Sequence, residues 1–466
     1  GVDFRSGTGY EIPVIYDVII IGAGAAGLFA AASACPSRNG FPIRGLILEK
    51  SPSPGKKLLM AGSGQCNLTH SGDIKAFVSC YGDSGPKIRS ILYRFNNLAV
   101  RDFFERLGVP LAEREDGKVF PASLCGRDVL DALLRAASDN GFTLQCSSPV
   151  TDIAADGSID AAGLFTVTAA GKTHRARMLV VATGGCSYPT TGSDGSMFPL
   201  LEKLGHTIVQ PKPALVPLFV ENYPYTSLAG VAFKHVRITI DKCESLGPRE
   251  SLGPRESLGP LLLTHENFSG PAVLDLSRYA RIGAELSIDY LPGVRLEDLA
   301  RELRQAAIGS KKQIATVIAE LPAVRAACGT DGEPALPKRF LEAVTSRAGA
   351  GCAGGASFAG GASFAGDVQA SSLPGSMLKA IAEILKKDRF TISGDGGFKI
   401  AMATAGGVPL EEISTRSLES KIVRHLFIIG EALDVDGNTG GYNLQFAFSS
   451  GHLAAESFCR QNPLLA

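Results

Sequence analysis

The chain has 466 residues, enough for two or three domains, and about 45% of them are hydrophobic, so a large core can form. Lysine and arginine together number 46, as do aspartate and glutamate, and this balance argues against a broad basic surface for nucleic acid or acidic lipid. The ten cysteines include no CxxC pair, which disfavours a zinc knuckle or a thioredoxin-type dithiol and is typical of thiols in a reducing compartment. The first fifteen residues show no secretory signal, so a cytoplasmic protein without a membrane segment is expected, unless a leader has been removed.

The first motif is a GxGxxG sequence between a short apolar segment, residues 16–21, and an alanine-rich stretch that predicts a helix. This strand–turn–helix context is what a dinucleotide-binding fingerprint requires. The first glycine permits a tight turn, the second lets the backbone approach a pyrophosphate, and the third lets helix and strand pack closely. The helix start offers free N–H groups to the phosphates. The residues predicted to make these contacts are Gly22, Gly24, Ala25, Ala26 and Gly27.

A second predicted strand, residues 45–48, leads to Glu49. A carboxylate at this position can accept hydrogen bonds from ribose hydroxyls, and it disfavours a 2′-phosphate, so NADP is not expected here. A basic, glycine-rich loop follows, where an FAD enzyme extends its chain along the cofactor. The cofactor contacts predicted in this part of the chain, and at the start of a later β-meander, are Lys50, Lys57, Gly62, Ser63, Gly64 and Val150.

Two later predicted strands, residues 177–181 and 426–429, also end in glycine turns, and such turns lie where ligands bind in open α/β sheets. A Gly-Gly turn then opens an apolar helix, whose start can face the flavin edge that becomes negative on reduction. These features favour FAD, held non-covalently, over NAD. The predicted contacts are Ala182, Thr183, Gly184, Gly185, Gly430, Glu431, Asp434, Gly441, Tyr442, Asn443 and Leu444.

Four blocks of sequence resemble the aminoacetone-oxidase-like bacterial flavoproteins, also called NAD(P)/FAD-dependent oxidoreductases, among which bile-acid reductases have been placed. The blocks are residues 54–69 (PGKKLLMAGSGQCNLT), 182–195 (ATGGCSYPTTGSDG), 261–276 (LLLTHENFSGPAVLDL) and 404–451, which includes TAGGV and GEALDVDGNTGGYNLQFAFSSG. The resemblance covers most of the chain. Lys56 and Gln65 depart from it, because arginine is expected at both positions, and the first helix-to-strand loop is longer than usual.

The expected fold class is α/β, with a split Rossmann-like FAD-binding domain at residues 14–205 and 391–466. Alternating β segments predict a β-rich inserted domain at 206–294 and 367–390, and helical spacing of apolar residues predicts a small helical subdomain at 295–366. The resemblance implies the same layout. Two low-complexity repeats, residues 244–260 and 354–365, are predicted to be surface loops.

The predicted function is an FAD-dependent oxidoreductase that transfers a hydride from or to a small organic substrate and exchanges electrons with dioxygen or NAD(P). No second GxGxxG follows a strand, which favours an oxidase, or a nicotinamide that binds transiently at the substrate site. An NAD(P)H-dependent reductase of a conjugated enone, such as a bile acid, is the alternative among enzymes. A flavin-binding protein without turnover, for example a tRNA- or partner-binding sensor, is the alternative from another class, and the neutral charge disfavours tRNA as its partner. The sequence leaves the oligomeric state open.

His265 is the catalytic candidate, as a residue on the substrate side of the flavin, and the competing interpretation is a loop histidine that satisfies backbone groups. Cys66 is either redox-active or, more in keeping with its lack of a nearby partner, a small buried residue. Asp434 and Asp436 resemble a metal pair, but no further ligand accompanies them in sequence, so no metal is predicted and cofactor binding or helix capping is favoured.

Overall fold

The computed structural model describes residues 14–35, 43–155, 163–241, 254–327, 335–352 and 368–461. The chain divides into two compact units, the first formed from Gly1–Lys212 and Met402–Ala466 and the second from Pro213–Ala401. In chain order the strands are β1 Ile15–Ile21, β2 Gly45–Leu48, β3 Thr69–His70, β4 Leu111–Glu113, β5 Lys118–Pro121, β6 Phe142–Gln145, β7 Val150–Ala155, β8 Phe165–Ala169, β9 Lys172–Val181, β10 Val209–Ala214, β11 Leu218–Val220, β12 Ala232–Ile240, β13 Arg255–Leu263, β14 Phe268–Ser269, β15 Glu285–Asp289, β16 Asp388–Asp395, β17 Ala403–Gly407 and β18 Leu426–Ile428.

The helices of the first unit are α1 Ala25–Ser33, α2 Lys56–Met60, α3 Ile74–Phe77, α4 Gly85–Arg94, α5 Asn97–Arg106, α6 Gly126–Asp139, α7 Phe198–Lys203 and α14 Tyr442–Gln461. Those of the second unit are α8 Pro271–Leu274, α9 Leu296–Ala307, α10 Ile314–Glu320, α11 Pro322–Ala326, α12 Lys338–Cys352 and α13 Gly375–Lys386. No helix among the described residues is long and apolar enough to cross a lipid bilayer.

The first unit is built on a parallel sheet with the strand order β6–β2–β1–β9–β18. The last five residues of β1 are buried, as expected for a central parallel strand covered on both faces. β9 is long enough to pair with an antiparallel strand along its first half and with a parallel strand at its end. Its first half pairs antiparallel with β8, which continues into β7, and its last three residues pair with β18. The sheet therefore joins segments from both ends of the chain, and the predicted split, Rossmann-like α/β fold is confirmed.

Helices α1 and α14 pack closely against each other, which brings the two sequence segments of this unit together. A Cβ added to Gly451 would lie only 2.7 Å from the carbonyl oxygen of Ala26, so a glycine is needed where the helices touch. The rings of Phe29 and Phe448 lie 4.8 Å apart between centroids. Asn140 donates to the last carbonyl groups of α1, at 3.0 Å each, and so caps its C-terminus.

The second unit contains a closed antiparallel barrel with the strand order β11–β14–β13–β12–β15–β16, closed by the pairing of β16 with β11. The helices α9, α10, α12 and α13 bury their apolar faces in the same hydrophobic core as the barrel strands. The β-rich region and the helical region, which the sequence separates into two domains, thus share one core in the described residues.

Two domain boundaries and one loop assignment differ from the sequence-based ones. Residues 391–395 were assigned to the FAD-binding domain, but they belong to β16 and pair with β15 and β11, because the barrel needs this strand to close. Residues 207–210 were assigned to the β-rich domain, but β10 pairs with β17 outside the barrel. The repeat at 244–260 was expected to be a surface loop, yet its last copy forms most of β13, because β12 supplies the hydrogen bonds. The repeat at 354–365 lies outside the described residues.

Candidate cofactor site

The turn between β1 and α1 contains three glycines in different surroundings. Gly22 has a φ of +103°, and a Cβ added there would lie 2.5 Å from the carbonyl oxygen of Ala182. A Cβ on Gly27 would lie 2.0 Å from the carbonyl oxygen of Gly22. A Cβ on Gly24 would meet nothing within 4 Å, and no side chain caps the helix that begins with Ala25. Packing therefore requires Gly22 and Gly27, whereas Gly24 leaves open space beside an uncapped helix start, where a phosphate can bind.

Glu49 connects this turn to the end of β2. Its carboxylate accepts a 2.8 Å hydrogen bond from the N–H of Ala23 and a 2.7 Å hydrogen bond from the N–H of Ser51. The carbonyl oxygen of Glu49 accepts from Ser148 at 2.8 Å, which brings the chain just before Val150 to the end of β2. The carboxylate is buried and still has lone pairs for ribose hydroxyls. Its second role, fixing the turn, is not visible in the sequence.

The loop after α2 has a left-handed backbone at four of five consecutive positions. Gly62, Ser63, Gly64 and Cys66 have φ values of +58°, +57°, +89° and +60°. The Cys66 N–H donates to the carbonyl oxygen of Ala61 at 2.9 Å and so fixes the turn. Burial raises the pKa of the Cys66 thiol to about 12, so this thiol is protonated at neutral pH. The interpretation as a small buried residue therefore fits better than that of a redox-active cysteine.

Both lysines predicted to bind the cofactor are paired with an acid. Lys50 forms an ion pair with Asp194, in the loop after β9, and about 41% of its side chain is exposed. Lys57 contacts the Oε2 atom of Glu431 at 2.5 Å and the hydroxyl of Ser187, and only 25% of its side chain is exposed. Lys57 thus joins α2 to the turn after β9 and to the turn after β18.

The ATGG turn at residues 182–185 is held by a residue from the far end of the chain. The Thr404 hydroxyl oxygen accepts hydrogen bonds from the N–H of Cys186 at 2.8 Å and from the N–H of Ser187 at 3.1 Å. A Cβ added to Gly185 would lie 2.5 Å from the same oxygen. Neither Thr404 nor Ser187 was predicted from the sequence as a site residue. Their only signal is that each lies in a block that carries the family resemblance.

The turn after β18 packs directly on the start of α1. Gly430 has a φ of +62°, donates its N–H to the hydroxyl of Ser450 at 3.0 Å, and leaves only 2.8 Å between an added Cβ and the Cβ of Ala26. Farther on, Asp434 accepts the N–H of Gly406 at 2.9 Å. Burial raises the pKa of the Asp434 carboxyl group. Glycine and acid together hold the end of β18 and the end of β17 in place.

The start of α14 is a tight turn built by its own side chains. Gly441 has a φ of +96°, and a Cβ there would lie 2.7 Å from a backbone carbonyl oxygen of β3. Asn443 exchanges two hydrogen bonds with the backbone of Gly437, at 2.8 and 2.9 Å. The Tyr442 ring stacks on His70 with centroids 5.5 Å apart. Tyr442 and Asn443 therefore shape the half-buried turn at the start of α14, and a helix start of this kind can contact a cofactor through its N–H groups.

Two buried side-chain oxygens in these loops, Asn67 Oδ1 and Ser193 Oγ, find no hydrogen-bond partner within the described part of the chain. Asn67 follows the left-handed loop, and Ser193 lies against Gly184 in the ATGG turn. Buried polar atoms are nearly always hydrogen-bonded, so these two oxygens indicate a polar ligand. Together with the open space at Gly24, they show that the residues present fit a phosphate-bearing cofactor such as FAD.

The remaining predicted contacts are apolar. Val150 and Leu444 are partly buried and pack against the hydrophobic core of the first unit. Among the described residues, no three histidine, cysteine, aspartate or glutamate side chains are grouped so that they could hold a metal ion.

His265 lies in the second unit, on the turn between β13 and β14, and 75% of its side chain is exposed. Its ring approaches Glu266 at 3.7 Å. The turn itself is held by Thr264, whose hydroxyl oxygen accepts the N–H of Asn267 at 3.0 Å. His265 thus belongs to the second unit, whereas the residues of the candidate cofactor site described above belong to the first, and its catalytic role stays a prediction.

His265→Ala should leave the FAD content of the purified protein unchanged, because the side chain is largely exposed and the candidate cofactor site is built from residues of the first unit. FAD released by heat and measured by absorbance at 450 nm checks this result, with wild type purified in parallel. A loss of more than about half of the FAD would contradict it. Stopped-flow reduction of the same two proteins then measures the separate question of catalysis, where a general acid or base contributes roughly 10²–10⁴-fold.

Comparison with known proteins gives the family. The model of the HI0933-like protein Rossmann domain matches residues 16–457, nearly the whole chain. The chain belongs to the HI0933-like family. An Escherichia coli K12 ribosomal RNA dihydrouridine synthase is 30% identical over 95% of this chain and 97% of its own length. A protein of the same name from Haemophilus influenzae is 29% identical over 95% and 98%, respectively. A Clostridium scindens 3-dehydro-bile acid delta(4,6)-reductase is 28% identical over 94% and 98%.

Membership of the HI0933-like family confirms that the chain is an enzyme of a flavoprotein oxidoreductase family with a Rossmann-type fold. The narrower resemblance to aminoacetone-oxidase-like proteins stays a prediction. The three named relatives match over almost their full lengths, so both units of this chain have counterparts in them.

Proposed function

We propose that this HI0933-like protein is an FAD-dependent reductase of a carbon–carbon double bond conjugated with a carbonyl group. The names of its relatives support this activity. Dihydrouridine is uridine with two hydrogens added across a double bond conjugated with a carbonyl, and a 3-dehydro-bile acid delta(4,6)-reductase acts on double bonds conjugated with a ketone. Two relatives that differ widely in substrate thus share one reaction type. Of the alternatives left open by the sequence, this favours the reductase over the oxidase and over a flavin-binding protein without turnover.

Bound FAD would supply the hydride, and the residues of the chain would bind and orient the cofactor. The open space at Gly24 and the uncapped start of α1 are suited to the pyrophosphate, and Glu49 is suited to the ribose. The start of α14, with its N–H groups and the positive end of its helix dipole, is suited to the ring. Two helix starts, one from each end of the chain, would thus hold the cofactor, and the packing of α1 on α14 holds the two helices together.

NAD(P)H is the proposed electron donor. The one glycine fingerprint of the GxGxxG type is assigned to FAD, so the nicotinamide would bind transiently at the substrate site. Such transient binding of a nicotinamide is one of the two possibilities that the sequence leaves open.

Uridine in ribosomal RNA is the second candidate substrate, because two relatives of 29–30% identity are named for it. The balanced charge of the chain argues against RNA as the substrate, because nucleic-acid binding usually needs an excess of positive charge. This argument concerns the substrate alone, and the proposed reaction type does not depend on it. A small enone and a uridine present the same conjugated group, so the two substrates can be compared in one assay.

The deciding experiment uses the purified yellow protein, which should release FAD rather than FMN. Under anaerobic conditions the flavin is reduced with NADH or NADPH, and the protein is then mixed with a 4-en-3-one steroid, with protein-free ribosomal RNA, or with air. Fast reoxidation by the steroid or the RNA, with the product confirmed by mass spectrometry, supports the proposal. Reoxidation by air alone would point to an oxidase, and absence of bound flavin would remove the proposal altogether.

Glu49→Gln should weaken FAD binding, because a neutral amide replaces the carboxylate that accepts N–H groups and ribose hydroxyls. Hydrogen bonds to charged groups contribute about 1.5–3 kcal/mol, so the dissociation constant should rise roughly 10- to 100-fold. Fluorescence titration of the apoprotein with FAD measures this change. The exposed Glu105, on α5, gives the control variant Glu105→Gln, which should bind as wild type. Equal affinity of both variants would show that Glu49 is not the ribose ligand.

A further inference from the structure

Lys57, Ser187 and Glu431 form one hydrogen-bonded network, which we call the Lys57–Glu431 network. The Lys57 ammonium contacts Oε2 of Glu431 at 2.5 Å and the hydroxyl of Ser187. The same hydroxyl donates to Oε1 of Glu431 at 2.5 Å. Both oxygens of the carboxylate are therefore engaged, one by a cation and one by a neutral donor, and the network as a whole carries no net charge.

The network joins three segments that are distant in sequence. Lys57 lies 130 positions before Ser187, and Ser187 lies 244 positions before Glu431. Each belongs to a different cofactor block of the sequence, namely the basic loop, the turn after β9 and the turn after β18. Ser187 is also fixed through its N–H, which donates to Thr404 at 3.1 Å. The arrangement is thus specified by the fold and does not depend on mobile surface side chains.

The ion pair between Lys57 and Glu431 is more buried than the ion pair between Lys50 and Asp194 in the same unit. The side chains of Lys57 and Glu431 are 25% and 20% exposed, and Ser187 is fully buried. The side chains of Lys50 and Asp194 are 41% and 32% exposed. Charges are screened less where water is excluded, so a change of charge at Lys57 or Glu431 acts over a longer distance than the same change at Lys50.

We infer that the Lys57–Glu431 network sets the reduction potential of the bound flavin. The inference rests on the proposed function, since it requires that the three blocks hold FAD with the flavin ring beside this network. Two-electron reduction adds negative charge to a flavin ring, and nearby fixed charges stabilise or oppose that charge. The wild-type network balances one cation against one anion. Removing the cation leaves an uncompensated carboxylate and opposes reduction, whereas removing the anion leaves an uncompensated ammonium and favours it.

The prediction is a pair of opposite shifts. In Lys57→Met, the ratio of reduced to oxidised flavin at a fixed potential should fall about tenfold, and in Glu431→Gln it should rise about tenfold. A tenfold change corresponds to about 30 mV for a two-electron couple. The double variant should return to within about threefold of wild type, and Lys57→Arg, which keeps the cation, should also stay close to it. Lys50→Met, the matched control at the more exposed pair, should change the ratio less than threefold.

Each protein is loaded with FAD, its flavin content is measured, and its midpoint potential is determined by anaerobic reduction with reference dyes. Shifts of Lys57→Met and Glu431→Gln in the same direction, or shifts no larger than that of Lys50→Met, would overturn the inference. If Lys57→Met does not retain FAD, the upward shift of Glu431→Gln decides the result alone. Wild-type protein that binds FAD but reduces neither enone nor RNA would remove the proposed activity, while the potentials would still decide the role of the network.

Discussion

Gly24→Ala should remove most FAD binding while the protein stays folded. The backbone at Gly24 has φ of −88° and ψ of −169°, which alanine adopts freely, and an added Cβ would meet no atom of the described residues within 4 Å. What the methyl group would meet is the bound pyrophosphate, if this turn holds it. An extra methyl group in a tightly packed contact costs typically about 1–3 kcal/mol, so FAD affinity should fall roughly 5- to 150-fold. Fluorescence titration of the apoprotein measures the loss, and circular dichroism checks the fold.

Two other glycines provide the controls. Gly375, at the start of α13 in the second unit, also has nothing within 4 Å of an added Cβ, so Gly375→Ala should change neither FAD affinity nor stability appreciably. A Cβ on Gly27 would lie 2.0 Å from a backbone oxygen, so Gly27→Ala should lower the melting temperature as well as FAD binding. Gly24→Ala protein with wild-type affinity for FAD would show that the turn does not hold the pyrophosphate.

Arg347→Met should destabilise the second unit more than any substitution of an exposed charge. The Arg347 guanidinium donates to both carboxylate oxygens of Asp388, at 2.9 and 3.0 Å, and the Asp388 side chain is only 1% exposed. The hydroxyl groups of Tyr225 and Tyr290 donate to the same carboxylate, at 2.5 and 3.2 Å. Without the arginine the carboxylate is buried with no cation, and such a loss costs about 3–5 kcal/mol. Urea unfolding followed by far-ultraviolet circular dichroism measures it.

The matched control lies on the same helix. Lys338 pairs with Glu342 at 3.8 Å across one helical turn, with 65% of its side chain exposed. Lys338→Met should therefore cost less than about 0.5 kcal/mol, the usual value of such a pair. A similar small cost for Arg347→Met would mean that the two tyrosine hydroxyls suffice to satisfy Asp388.

The glycine turn and the acid of the candidate cofactor site could be predicted, because each is recognised from residues that are neighbours in sequence. A GxGxxG between a buried strand and a helix requires glycines for packing at Gly22 and Gly27, and the structure shows both close contacts. The acid is recognised by its position directly after the next predicted strand. These features depend on a few neighbouring residues, and sequence patterns report them well.

The residues that the sequence did not reveal act across long separations. Thr404 binds the backbone 218 and 217 positions away, and Ser187 reaches Glu431 across 244 positions. No periodicity or spacing carries such information, because the pairing exists only once β9 and β18 lie side by side. The domain boundaries were missed for a similar reason. Whether residues 391–395 are a barrel strand is decided by their partners β11 and β15, and not by their own composition.

The same topology orders events during synthesis on the ribosome. The strand β18 and the helix α14 are made after the whole second unit, yet they complete the sheet and cover α1. A nascent chain that already carries the glycine turn and Glu49 still lacks Glu431 and the start of α14, two of the segments that we propose to hold FAD. Until β18 has been made, the edge of β9 that pairs with β18 has no hydrogen-bonding partner from that strand. On the proposed assignment of the site, FAD capture is therefore expected only after β18 and α14 have been made.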